Sequence, residues 1–151
     1  RQAQSELGVL IRELRPVTLS SGGLVAGVED FCKNWAQQNA VELDFSHSDI
    51  PEIEPEVEQA LFRVTQEALS NISRHSGANK VVVKLYSNEI GILLVIQDNG
   101  SGFDLSNMSE KGMGLISMQE RMQAVGGTLQ FDSTVGRGTQ ITATYSGSKG
   151  A

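Results

Sequence analysis

The chain predicts an α+β fold, a two-layer sandwich in which a mixed, mostly antiparallel sheet carries about three helices on one face. Three observations lead there. Two pairs of short apolar runs, 81–86 with 92–96 and 128–131 with 140–145, are spaced as hairpin strands, and hairpins make antiparallel sheets. Three segments carry apolar residues at helical spacing and need a surface to bury them, which one face of a sheet supplies. At 151 residues with 39% hydrophobic content, the chain can fill one substantial core and not two.

Each element has its own signal. Leu7, Leu10, Ile11 and Leu14 form a helical stripe that Pro16 stops, and it starts without an initiator Met, as though the chain opens inside a longer helix of a larger protein. Residues 16–23 read as a turn region in which Ser20 or Ser21 caps the next helix. That helix carries Leu24, Val28, Phe31 and Trp35. Val41, Leu43 and Phe45 alternate with polar residues, the pattern of a strand with one buried face. Pro55 opens a helix with the stripe Val57, Leu61, Val64, Ala68 and Ile72, and Gly77 stands where such a helix ends. The first hairpin turns around Asn88-Glu89, with Gly91 in its returning arm. Leu115, Met118, Met122 and Val125 form a last helix closed by Gly126-Gly127, and the polar stretch 146–151 reads as a tail.

Composition narrows the partners. Twelve Lys and Arg stand against 18 Asp and Glu, a net charge of −6, which argues against a nucleic-acid partner because cations on the protein supply most of that affinity. The single Cys32 excludes an internal disulfide, fits a reducing compartment and reads as core filler. No run approaches the ~18 apolar residues that cross a bilayer, so this segment is expected to make no membrane contact. No internal repeat or low-complexity segment is visible.

The chemistry concentrates in four places. Asp98-Asn99-Gly100-Ser101-Gly102-Phe103 follows the apolar run 92–96, which sets one carboxylate at the end of a buried strand before a glycine turn. A carboxylate there accepts a hydrogen bond from an exocyclic amine, and Gly100 and Gly102 let backbone approach a flat ring. Asp-Asn-Gly is also an ordinary turn sequence. Glu67 and Asn71 lie four residues apart and project from one helix face at the margin of its apolar stripe. Hard oxygens of this kind suit Mg²⁺, which keeps several waters and takes one or two protein ligands beside substrate phosphates. Gly112-Met113-Gly114-Leu115 and Gly136-Arg137-Gly138-Thr139 complete the set.

In this order, from about Pro55 to Thr142, the four motifs resemble the ATP-binding domain of histidine kinases, a branch of the ATPase superfamily that also holds gyrase, MutL and a heat-shock chaperone. The resemblance implies the Bergerat ATP-binding fold, with Mg·ATP as ligand. It assigns Asn71 to Mg²⁺, and Glu67 to metal support or to polarising an attacking imidazole. It gives Asp98 the adenine amine, so that a guanine carbonyl would leave a buried acceptor unpaired and be rejected by up to ~10⁴. Thr139 becomes the second adenine contact, directly or through water, although a Thr also suits a strand for its own sake.

Residues 103–111 are polar, without period, and resemble a short ATP lid of the subgroup that includes nitrate, nitrogen-status and lipid-fluidity sensors. Lys111 and the N–H groups of Gly112 to Leu115, opening the last helix, then form a triphosphate site. His75 is stabilised by the helix dipole and equally suits the phosphate end of a nucleotide, a position where the subgroup carries His; Arg74 reads as a surface cation. His47 has no neighbour resembling the family's phosphoacceptor pattern and is expected to be inert. Leu14-Arg15-Pro16, Leu19 and Gly22-Gly23-Leu24 resemble the junction between dimerisation hairpin and ATP domain. The expected organisation is therefore 1–15 as the end of that hairpin, 16–145 as the catalytic domain and 146–151 as tail, with the phosphoacceptor His absent.

The resemblance further implies a cytoplasmic protein-histidine kinase, free or as part of a membrane-bound sensor, whose partners are its own dimerisation helices in a homodimer and a response regulator. Two rivals share the ATP motifs: a serine kinase of the anti-sigma-factor type, against which the hairpin-like start speaks, and a module that senses ATP without catalysis.

Overall fold

A computed structural model describes residues 23–102 and 110–146, the side chains of 110–113 excepted. The expected first helix, the Ser20 or Ser21 cap, most of the lid and the tail beyond Ser146 lie outside the described residues. Among the described residues, three α-helices and five strands follow in the order α1 (Gly23–Asn39), β1 (Glu42–His47), α2 (Pro55–Asn71), β2 (Lys80–Ser87), β3 (Ile92–Asp98), α3 (Glu110–Ala124), β4 (Thr128–Thr134) and β5 (Gly138–Tyr145). A π-helical turn, Ile72–Ser76, extends α2.

The strands form one sheet in the order β1-β2-β3-β5-β4. The pairs β2–β3, β3–β5 and β4–β5 are antiparallel, as expected, and β1 lies parallel to β2 because α2 carries the chain back between them. All three helices cover one face. Helix α2 is central, packing between α1 and α3 and onto β3 and β5, while α1 rests on β1 and α3 on β4.

Period explains the core. Val57, Leu61, Val64, Ala68 and Leu69 of α2 are fully buried, and they meet the alternating inward positions Val81, Val83 and Leu85 of β2 and Leu94 and Ile96 of β3. Each Val, Leu or Ile among them contributes about 1.5–3 kcal/mol by leaving water. Thr65 is buried on the same face and its hydroxyl donates to the Leu61 carbonyl at 3.0 Å, so burial leaves it paired. Pro55 at the first turn starts α2 after Glu54, and Gly77, at φ 66°, ends it in the left-handed conformation, both where the sequence places them.

Three boundaries differ from expectation. Gly91 belongs to the turn and not to the returning strand, since Asn88 and Gly91 exchange backbone hydrogen bonds at 2.9 and 3.2 Å. The last strand pair is longer, because Thr134 pairs with Gly138 right up to the turn. Helix α3 begins at Glu110, so the amides of Gly114 and Leu115 are spent inside the helix and only its first turn has N–H groups to offer a ligand. Among the described residues no helix is long and apolar enough to cross a membrane.

Candidate active site

Asp98 ends β3 on the inward face, in line with Ile92, Leu94 and Ile96, at the position where the helix layer no longer seals the sheet. It is 6% exposed. Its Oδ1 accepts the Gly100 N–H at 2.7 Å. Burial pushes the carboxyl above its ordinary pKa of 3.8, opposed by the N–H groups of Gly100 and Thr139. Thr139 faces Asp98 across the β3–β5 pair, and its hydroxyl is 2.8 Å from that of buried Ser133.

The turn after Asp98 is clamped from both sides. A side chain on Gly100 would collide with the backbone and hydroxyl of Ser76, whose carbonyl accepts the Ser101 N–H at 2.8 Å. Asn99 turns outward and stitches the turn to the start of β2, its Oδ1 accepting the N–H groups of Asn79 and Lys80, each at 3.1 Å. Gly102, at φ 65°, presses on the Thr134 carbonyl, where no other residue fits. The glycines are therefore required by close approach as well as by turn geometry.

The opposite wall comes from α2. Asn71 faces the same cleft as Asp98, and the π-helical turn that follows it widens the helix end and brings His75 and Ser76 to the rim. Glu67, one turn earlier, opens instead onto the groove between α2 and α3, with Arg63, Ser117 and Arg121. The helix bearing Gly114 comes against both side chains: a Cβ on Gly114 would stand 3.0 Å from Asn71 Nδ2 and 3.1 Å from Glu67 Oε2. Arg74 is exposed, as expected, yet not idle. Its guanidinium donates to Ser70 Oγ at 2.6 Å and to Asn71 Oδ1 at 2.9 Å, and lies 3.8 Å from Glu67 Oε2.

These walls line one cleft open to solvent, floored by Ala68, Ile72, Leu115 and Ile141 and rimmed by Asn71, His75, Ser76, Asp98 and Thr139. An apolar floor with a buried acceptor at its inner end suits a flat heteroaromatic ring that carries an amine. Of the expected site residues, the fold brings Asp98, Gly102, Leu115, Thr139, Asn71 and His75 to one cleft, with Gly100 behind its turn and Gly114 and Glu67 beside it. Lys111 and Gly112 fall in the first turn of α3, and the side chain of Lys111 lies outside the described residues. His47 ends β1 opposite Leu85, while the site gathers at the other end of β2, around Lys80 and Asp98.

Ser76, Asn99 and the partners of Arg74 escape sequence reasoning. An i, i+3 and i, i+4 count from Arg74 to Asn71 and Ser70 would have found the last of these. The donor set also fits a divalent cation. The Asn71 and Glu67 side-chain oxygens both come close to Gly114, and hard oxygens of this kind are what Mg²⁺ takes beside substrate phosphates.

Residues 56–147 match the family described as histidine kinase-, DNA gyrase B- and HSP90-like ATPases. The chain belongs to this ATPase family. Among its relatives, the sensor histidine kinase LiaS of Bacillus subtilis is 39% identical over 140 residues, covering 93% of this chain and 39% of LiaS. The sensor protein VraS of Staphylococcus epidermidis is 36% identical over 141 residues, covering 93% of this chain and 40% of VraS. The chain thus spans about two fifths of the length of these relatives. In three dimensions it resembles the Acinetobacter baumannii histidine kinase AdeS with a TM-score of 0.65 at 17% identity, over 83% of this chain and 64% of that one. The histidine kinase domain of the blue-light activated kinase of Erythrobacter litoralis gives 0.63 at 17%, over 82% and 60%. This ATPase fold is the two-layer sandwich that the sequence predicts.

Proposed function

We propose that the chain is the ATP-binding catalytic domain of a two-component sensor histidine kinase. It binds Mg·ATP and transfers the γ-phosphoryl to a His nitrogen on the dimerisation hairpin of the parent homodimer, for relay to an Asp of a response regulator. It would work in the cytoplasm, where ATP and a regulator are available. The observation that carries the reading is the convergence of Asp98 and Thr139, from the sheet, with Asn71, from α2, on one cleft with an apolar floor. The family match and the sensor-kinase relatives support it.

The residues divide the work. Asp98 accepts from the adenine amine at the inner end, Thr139 adds a second polar contact, and Ile72, Leu115 and Ile141 hold the ring faces. Asn71 and Glu67 would hold Mg²⁺, which supplies charge neutralisation on phosphate oxygens. His75 stands at the mouth, and Lys111 with the first turn of α3 completes the phosphate end. Glu67, which opens onto the α2–α3 groove, would polarise an imidazole arriving from that side. A loose phosphoryl-transfer transition state asks mainly for such placement and charge balance.

The test adds the parent's complete helical hairpin in trans to this chain with radiolabelled ATP. Acid-labile, base-stable label should appear on the hairpin and none on His47 or His75. Acid-stable label on a Ser would support the anti-sigma-type kinase instead, and ATP binding without any transfer would support the sensing module.

A further inference from the structure

The Asn71 oxygen that the proposed function gives to a divalent cation already has a partner. Arg74 Nη2 donates to Asn71 Oδ1 at 2.9 Å and lies 3.8 Å from Glu67 Oε2, so one guanidinium sits on both candidate metal ligands. A third side chain holds it there, because Ser70 Oγ accepts from Nη1 at 2.6 Å. The spacing puts them on one side: Asn71 and Ser70 lie three and four residues before Arg74, and Glu67 lies one turn earlier, so a fork carried on the π-helical turn reaches all three.

We infer that Arg74 is a positioning residue that caps the metal site of the nucleotide-free protein and makes cation and nucleotide bind together. This inference rests on Asn71 being the metal ligand. The physical argument is competition for one oxygen. A carbonyl lone pair engaged by a guanidinium has less to give a cation, and the positive charge beside it repels a divalent ion directly. A free cation must displace Arg74 without compensation, whereas a cation arriving with a triphosphate brings negative charge toward which Arg74 can turn. Binding of either partner then favours the other, which is a coupling free energy between two ligands of one site. Arg74 is more than half exposed, so its removal leaves the core untouched.

Mn²⁺ binding to the nucleotide-free chain, followed by electron paramagnetic resonance, reads the cap without catalysis. Arg74→Ala and Arg74→Gln should tighten Mn²⁺ about three- to tenfold, the worth of one hydrogen bond from an exposed, solvent-screened side chain. Ser70→Ala, which loosens the guanidinium and leaves both metal ligands in place, should shift Mn²⁺ in the same direction by less. Adding Asn71→Ala to Arg74→Ala should abolish the gain. Unchanged or weaker Mn²⁺ binding in both Arg74 variants would overturn the cap. If Asn71→Ala also still removes the metal-dependent part of ATP affinity, the site assignment survives that failure. Metal-dependent ATP affinity that persists in Asn71→Ala would overturn the site assignment, and the cap with it.

Discussion

The Asp98 carboxylate accepts the N–H of Gly100 at 2.7 Å, so the residue that ends β3 also fastens the turn that follows it. One of its oxygens is thus held in place by its own backbone before any ligand arrives. A ring that docks against it meets an acceptor whose position is already fixed, with no side-chain freedom left to lose.

Replacing this acceptor should separate binding from folding. Asp98→Ala is expected to keep its far-UV circular dichroism and to lose ATP affinity by at least about tenfold, the cost of a hydrogen bond to a charged group. Calorimetric titration decides it, and an unchanged affinity in a folded variant would falsify the adenine role.

The same carboxylate should leave a mark on stability. Its pKa is raised in the folded state by burial, against the pull of the Gly100 and Thr139 amides. Between the ordinary and the raised value the folded chain therefore holds more protons than the unfolded one, and stability falls as pH rises through that window. Asp98→Asn carries no such titration. Its stability minus that of the unsubstituted chain should grow from acid toward neutral pH in denaturant unfolding; a flat trend would show that the amides cancel the burial, and an opposite one that they outweigh it.

Helix α2 offers a second separation. Asn71→Ala should remove the Mg²⁺-dependent part of nucleotide affinity, whereas Glu67→Gln should bind nearly normally and slow transfer to the hairpin by about 10²-fold or more. Small, equal effects of both changes on binding and on rate would count against this division.

Gly138 tests the strand junction behind Asp98. Its φ is 93° and a Cβ would run into the Asp98 carbonyl, so Gly138→Ala should destabilise the fold by about 2–4 kcal/mol and weaken ATP binding with it. Denaturant midpoints within error of the parent chain would show that the β3–β5 junction yields more easily than its geometry suggests.

What the sequence disclosed followed from local rules. Pro55, Gly77 and the stripe between them delimit the central helix because capping chemistry and period are properties of neighbours along the chain. Asp98 was readable as a strand-end carboxylate for the same reason. The parallel seat of β1 beside β2 was encoded only in the strand–helix–strand order, which a search for hairpins passes over. Ser76 and Asn99 were illegible because their partners, Gly100 and Ser101 for the one and Asn79 and Lys80 for the other, are set by how the two ends of β2 and β3 meet. Arg74 looked like a solvated charge, and by exposure it is one; its meaning lies in which oxygens it covers.

The π-helical turn at Ile72–Ser76 has a consequence for how this segment can change over time. A widened turn holds more residues per revolution than the α-helix leading into it. It takes up one more residue than an α-helical turn while sweeping nearly the same angle, so the chain leaves it in almost the direction that an uninterrupted helix would give. Losing one residue here, at solvent-facing Ser73 for example, would let ordinary winding resume and still bring Ser76 toward Gly100. Homologous chains should therefore be able to differ in length by one residue at this junction, and a single-residue deletion at Ser73 should be tolerated better than one at buried Val64 within α2.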